Sequence, residues 1–132
     1  MEIMNTVFNT ETDTTTVLVH GDHVVTSPWT EGVKNTKFII SIDKDCNVKW
    51  TPAKYSRTPD WRDVRDALQH ILDNFDPEKG TVKEVTNLMG VKYKTLKGYS
   101  LGISVEGKLS IRGKDSIPAN VLKRLLPLIS EG

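Results

Sequence analysis

Short runs of β-branched and apolar residues along the first part of the chain predict β-strands. The runs over residues 15–19 and 23–26 flank a Gly-containing turn, which is the pattern of a hairpin. Residues 37–42 and 48–51 form a second such pair around a polar turn. Residues 1–13 are polar with little periodicity and are expected to form a flexible lead-in. The pattern predicts an antiparallel β meander over 14–57, which would serve as an accessory or dimerising part.

The spacing of apolar residues becomes helical after residue 58. Thr58, Pro59 and Asp60 combine a capping residue, a proline in the first turn and an acidic side chain, which together indicate a helix start. The apolar residues that follow occupy one helical face. They are Trp61, Val64, Leu68, Ile71, Leu72 and Phe75. The sequence predicts a helix from Pro59 to about Phe75.

Two shorter helices are predicted between Thr81 and Tyr99. Thr81 and Glu84 have the spacing of a capping box, which satisfies two unpaired backbone donors at a helix start. Gly90 divides the segment and suits the positive φ at which a helix ends. The apolar positions of both runs would face a shared core. They are Val82, Val85, Leu88, Met89, Val91, Leu96 and Tyr99.

This segment, TVKEVTNLMGVKYKTLKGYS, resembles the helix-turn-helix DNA-binding superfamily, which includes phage repressors and related bacterial regulators. The resemblance covers about twenty residues. In that superfamily the second helix enters the major groove of DNA. The resemblance therefore implies a set of side chains that face the nucleic acid. They are Lys92, Tyr93, Lys94, Thr95 and Lys97.

The residues that follow favour a β-hairpin wing. Residues 101–105 and 108–112 are strand-like runs joined across Glu106-Gly107, a pair suited to a tight turn. A winged helix-turn-helix carries its wing at this place, where Lys108, Arg112 and Lys114 would contact the phosphate backbone. The alternative is a solvated hairpin whose lysines provide only solubility.

The last predicted element is a helix from Pro118 to about Ser130. Pro127 removes a backbone donor and clashes with the preceding turn, so the helix is expected to kink or end near Leu126. Its apolar face either closes the core or pairs with a second copy in a homodimer. The predicted fold class is α+β: the meander, then a winged helix-turn-helix-like unit with a C-terminal helix over 58–132.

Charge is distributed unevenly along this chain of 132 residues, whose net charge is only +1. Residues 1–50 carry 4 basic and 7 acidic groups, and residues 81–132 carry 9 and 4, which gives −3 against +5. Local positive charge neutralises phosphates and releases counterions. The asymmetry is either an ordinary fluctuation or the mark of a nucleic-acid surface in the C-terminal third.

Other classes of function find little support in the sequence. The histidines His20, His23 and His70 lack the paired spacing of a zinc site, and no phosphate-binding glycine loop or nucleophile motif occurs. We expect neither catalysis nor a metal or cofactor. The single Cys46 cannot form an internal disulfide, and no apolar run is long enough for a membrane span. These features predict a cytoplasmic protein.

The sequence therefore predicts a small non-enzymatic regulator that binds double-stranded DNA. The alternative is a phage-like or bacterial protein-binding module that modulates a host polymerase or nuclease without touching DNA. A third option is a single-strand or RNA binder that uses aromatic residues of the meander, namely Trp29, Trp50 and Tyr55.

Overall fold

The computed structural model describes residues 2–9, 11, 14–20, 37–52 and 60–129. These residues form two antiparallel sheets and two α-helices, a mixed α+β architecture. Sheet A has the order β1 (Glu2–Asn9), β2 (Thr14–His20), β3 (Lys37–Ile42), β4 (Asn47–Pro52) and β9 (Ile117–Pro118). Sheet B has the order β5 (Lys83–Thr86), β6 (Lys92–Leu96), β7 (Tyr99–Ile103) and β8 (Leu109–Arg112). The helices are α1 (Trp61–Leu72) and α2 (Ala119–Leu125), the second followed by a 3₁₀ turn, Leu126–Leu128.

The strand pair β3–β4 confirms the second hairpin that the sequence predicts. Ile40 lies opposite Trp50 and Ile42 opposite Val48, so their side chains share one face. Ile40 and Val48 are fully buried, whereas Lys49, on the other face, is exposed. This alternation with a period of two residues is what a strand with one buried face requires.

The first part of the chain differs from the prediction. A flexible lead-in is predicted over 1–13, whereas Glu2–Asn9 forms β1 and pairs with β2. Ordering this segment costs chain entropy, which its polar composition alone does not offset. The ladder of backbone hydrogen bonds with β2 offsets that cost. The predicted strand over 23–26, Trp29 and Tyr55 lie outside the described residues.

Helix α1 confirms the strongest helical pattern in the sequence. Its N-cap is Asp60, whose side chain accepts a hydrogen bond from the backbone N of Arg62 at 2.9 Å. The predicted apolar face is buried or packs against the core. The helix ends at Leu72, three residues before the predicted end at Phe75.

Helix α2 closes the hydrophobic core. Leu122, Leu125 and Leu126 are buried, and the 3₁₀ turn begins one residue before Pro127, so the prediction of an end near Leu126 is confirmed. The same core cluster includes Phe38 of sheet A and Leu101 of sheet B. Trp50 Nε1 also donates to the carbonyl O of Leu109 at 3.0 Å, which links β4 to β8.

The prediction of two helices between Thr81 and Tyr99 is wrong. This segment forms β5, β6 and the start of β7, and the described chain contains no helix between Leu72 and Ala119. Residues Lys97 and Gly98 connect β6 to β7 with φ values of 52° and 82°, the pattern of a type I′ hairpin turn. The capping box between Thr81 and Glu84 does not form, because these residues enter an edge strand.

The hairpin predicted as a wing is confirmed as β7–β8. Ile103 lies opposite Leu109 and Leu101 opposite Ile111, whereas Val105 lies in the turn rather than in the strand. The hairpin adjoins β6 instead of a recognition helix. It is therefore half of a four-stranded sheet and not the wing of a winged helix-turn-helix.

Candidate functional site

The structure divides the predicted nucleic-acid contacts between the two faces of sheet B. Lys92, Tyr93, Lys94 and Thr95 are consecutive in β6, so alternate side chains point to opposite faces. Lys92 and Lys94 share the face that carries the buried Leu101 and Leu109, which we call the inner face. Tyr93 and Thr95 lie on the opposite, outer face. The remaining predicted contacts, Lys97, Lys108, Arg112 and Lys114, lie in turns or at the end of β8.

Three of the predicted lysines form ion pairs. Lys94 Nζ lies 2.6 Å from Glu84 Oε2, and Lys92 Nζ lies 3.9 Å from the other oxygen of that carboxylate. Lys97 Nζ lies 2.7 Å from Glu78 Oε1. The hydrogen bond from Lys94 lowers the pKa of Glu84, and the hydrogen bond from Lys97 lowers the pKa of Glu78. Acidic neighbours therefore offset part of the positive charge attributed to a DNA surface.

The outer face combines an aromatic ring, hydroxyl groups and two cations. The Tyr93 ring lies so close over Gly102 that a Cβ there would be 2.8 Å from Tyr93 Cδ1. The guanidinium carbon of Arg112 lies 5.9 Å from the centre of the same ring. One cross-strand row of this face consists of Lys83, Thr95, Ser100 and Arg112. Oγ1 of Thr95 and Oγ of Ser100 in this row are 2.9 Å apart.

A groove of about 710 Å³ lies at one end of the inner face. Its apolar lining comes from the start of α1, from sheet B and its turns, and from the residues after α2. These side chains are Trp61, Val91, Ile103, Val105, Leu128 and Ile129. Glu84, Lys92, Lys94 and Ser104 provide the polar part of the lining. The groove is therefore an apolar cleft with one charged side.

Backbone hydrogen bonds hold the walls of the groove. Trp61 N donates to Gly107 O at 3.1 Å, which fixes the start of α1 on the β7–β8 turn. That turn is closed by a 2.8 Å hydrogen bond from Ser104 N to Lys108 O. Ile129 N donates to Leu126 O at 3.1 Å and so anchors the opposite wall. A site built from such fixed elements loses little conformational entropy on binding.

Large apolar side chains are exposed around this groove. Val105 and Leu128, which line it, are 68% and 39% exposed. Leu88 is fully exposed and Met89 is 72% exposed, in the β5–β6 turn that supplies Gly90 and Val91 to the lining. Together these four residues form what we call the apolar rim: Leu88, Met89, Val105 and Leu128.

The β5–β6 turn presents its apolar tip from a fixed frame. Asn87 Oδ1 accepts hydrogen bonds from the backbone N of Met89 and of Val91, each at 2.9 Å. Gly90 N donates to Asn87 O at 3.0 Å, and Gly90 has a φ of 81°. Leu88 and Met89 therefore project from a turn whose backbone is tied at both ends.

Comparison with family models, with curated proteins and with solved structures finds no match to this chain. Its function has to be argued from its own site. Neither helix in the described part of the chain has the length and apolar character to cross a membrane.

The sequence does not predict the groove or the apolar rim, because their residues are predicted in other roles. It predicts Leu88 and Met89 in the core of a helix pair, and Val105 in a strand. The available signal was the run Asn87-Leu88-Met89-Gly90, in which turn-forming residues enclose two large apolar ones.

Proposed function

We propose that this chain is a non-enzymatic protein-binding module whose groove docks an apolar segment of a partner protein. The clustering of exposed apolar side chains carries the proposal. Four of the five large hydrophobic side chains that are exposed in the described part of the chain belong to the apolar rim. An apolar patch of this kind, bordered by polar residues, is typical of protein interaction sites. A host polymerase or nuclease is one class of partner that this role accommodates.

The free energy of burying the apolar rim favours a macromolecular partner. Full burial of one side chain such as Leu88 is worth about 1.5–3 kcal/mol relative to leaving it exposed. Among the described residues Leu88 gains none of this and Met89 gains little, since they lie at the tip of a turn. A partner that covers the tip while filling the groove would gain it. The fixed walls of the groove would hold the apolar anchor without a costly rearrangement.

The proposal is tested by selecting random peptides of about twelve residues against the folded protein. Binding of the selected peptides is then measured to the wild type and to Val105→Asn/Leu128→Asn. We expect the double variant to weaken binding at least about tenfold, a change of about 1.4 kcal/mol. Val85→Asn is the matched control, because Val85 is also 39% exposed but lies on the outer face.

Two results would contradict the docking role. One is a selection that yields no binding peptide, and the other is a set of peptides that bind the double variant as tightly as the wild type. Thermal unfolding of each variant shows whether the fold is kept. Exposed substitutions of this kind usually change stability by less than about 0.5 kcal/mol.

The outer face of sheet B supports a second candidate, the regulator of transcription that binds double-stranded DNA. The row that contains Lys83 and Arg112 includes no acidic residue, and Arg112 lies over the Tyr93 ring. Both cations are exposed, where they could contact phosphates. This candidate relies on a sheet surface instead of a recognition helix.

The second candidate predicts salt-dependent binding to labelled random duplex DNA between about 50 and about 300 mM salt. Lys83→Ala/Arg112→Ala should reduce both the affinity and its salt dependence. Lys44→Ala/Lys49→Ala is the control, because these exposed lysines lie on the β3–β4 hairpin. Equal DNA affinity of both double variants would count against this surface.

A further inference from the structure

The charged side of the groove has one positive charge in excess. Of the charged residues that line it, Lys92 and Lys94 are basic and only Glu84 is acidic. Glu106 also lies near, in the β7–β8 turn beside Val105, but it is not part of the lining. Arg65, whose guanidinium carbon lies 4.9 Å from the centre of the Trp61 ring, also lies beside the apolar wall, but its guanidinium forms an ion pair with Asp66 at 3.3 Å and adds no net charge.

The two lysines are engaged to different degrees. Lys94 donates a hydrogen bond of 2.6 Å to Glu84 Oε2, and its side chain is 31% exposed. Lys92 approaches the other carboxylate oxygen only to 3.9 Å, and its side chain is 70% exposed. A single carboxylate therefore serves both lysines, and the ammonium group of Lys92 is the less neutralised of the two.

Lys92 lies in the sheet next to the apolar lining of the groove. In β6 it lies in the cross-strand row of Ile103, on the same face of sheet B. Ile103 is part of the apolar lining, so a bound segment that contacts Ile103 would pass the ammonium group. A carboxylate on that segment would form an ion pair that the partner shields from water, where charge-assisted hydrogen bonds gain strength.

From this geometry we infer that the groove selects partner segments in which a carboxylate accompanies the apolar anchor, and that Lys92 receives the carboxylate. The inference rests on the proposed docking function and adds the chemistry of the partner. It names an acidic and apolar protein segment rather than an apolar one of any charge. Lys92 acts here as a specificity residue, since the apolar contacts provide most of the affinity.

The test compares peptide selections on three proteins: the wild type, Lys92→Glu and the control Lys83→Glu, which places the same change on the outer face. Only peptides that lose binding to Val105→Asn/Leu128→Asn are counted, because these depend on the groove. We expect such peptides to be enriched in Asp and Glu on the wild type and on Lys83→Glu. On Lys92→Glu the enrichment should shift to Lys and Arg.

A second measurement uses one selected acidic peptide and its counterpart with Asn and Gln in place of Asp and Glu. The acidic form should bind the wild type about three- to tenfold more tightly, and added salt should reduce the difference. Groove-dependent peptides without acidic enrichment, or equal binding of the two forms, would overturn the inference while the docking function stands. The absence of any groove-dependent peptide would overturn the docking function itself. Tighter binding of dodecanoate than of every selected peptide, at the same groove, would instead assign the site to small amphipathic carboxylates.

Discussion

The inner face of sheet B has two ends that differ in how its apolar residues are used. At one end Leu96 and Leu101 are buried and belong to the hydrophobic core. At the other end Ile103 lines the groove beside Val105, which is 68% exposed. The covered end stabilises the fold, whereas the open end leaves apolar surface that the described part of the chain does not cover. Four of the five exposed large hydrophobic side chains among the described residues belong to the apolar rim, so exposed apolar surface is concentrated beside the groove.

The largest effect on this comparison is expected from a truncation at the covered end. Leu101→Ala should reduce the free energy of unfolding by about 2–5 kcal/mol, because it removes buried methyl groups and leaves a cavity. Urea unfolding measures the change. Val105→Ala is the control at the open end and should change stability by less than about 0.5 kcal/mol. Similar losses in both variants would erase the distinction between the two ends.

A smaller effect is expected where the outer face is closely packed. In Gly102→Ala the added Cβ would lie 2.7 Å from the carbonyl O of Lys92 and 2.8 Å from Tyr93 Cδ1. Both the backbone of β6 and the Tyr93 ring must shift, which should cost about 1–3 kcal/mol. Ser110→Ala, opposite Gly102 in β8, is the comparison variant and adds no atom. An unfolding free energy of Gly102→Ala equal to that of the wild type would contradict this close packing.

The turn that presents the apolar rim gives a third, still smaller expectation. Asn87→Ala removes the acceptor for the backbone N of Met89 and of Val91, and should cost about 1 kcal/mol of stability. Peptide binding at the groove should weaken as well, because the tip is then less ordered. Leu88→Ala shortens the tip but keeps the frame, so it should affect binding alone. Unchanged binding by Asn87→Ala would show that the frame has no part in docking.

The smallest effect concerns the pH dependence of stability. The hydrogen bond from Lys94 holds the pKa of Glu84 below its usual value of 4.5. A carboxyl whose folded pKa is lowered stabilises the fold above its unfolded pKa, and this contribution is lost as the pH falls through the folded pKa. Glu84→Gln should therefore make the free energy of unfolding depend less on pH below about pH 4.5. At a pH below the folded pKa of Glu84, the variant and the wild type should differ little in stability. A pH profile of Glu84→Gln equal to that of the wild type would contradict this expectation.

Some elements could be predicted from the sequence because their signals are local. Helix α1 has apolar residues at helical spacing, which the structure confirms, whereas its N-cap is Asp60 and not Thr58, the capping residue that the sequence predicts. The β7–β8 hairpin was recognisable from Gly107, which has the positive φ of 77° that its turn requires. The strand pairs of β3 and β4 follow from their alternation of buried and exposed residues.

The segment from Thr81 to Tyr99 misled because two patterns overlap in it. Val85, Leu88 and Met89 have helical spacing in the sequence. In the structure Val85 lies in β5, whereas Leu88 and Met89 lie in the β5–β6 turn, so the spacing does not reflect a helix. The competing signals were the β-branched and aromatic residues of β5 and β6 and the Lys97-Gly98 turn, which together favour strands. The groove could not be predicted, because it brings Trp61, Ile103 and Leu128 together from distant parts of the chain.

The most direct test of the docking function is to locate the bound peptide on the protein. Nuclear magnetic resonance of ¹⁵N-labelled protein would follow the indole N–H of Trp61 and the backbone amides of Val91 and Ile103 while a selected peptide is added. We expect shifts at these groove residues and little change at Ser100 and Ser110 on the outer face. Shifts confined to the outer face, with the Trp61 indole unchanged, would contradict the docking function.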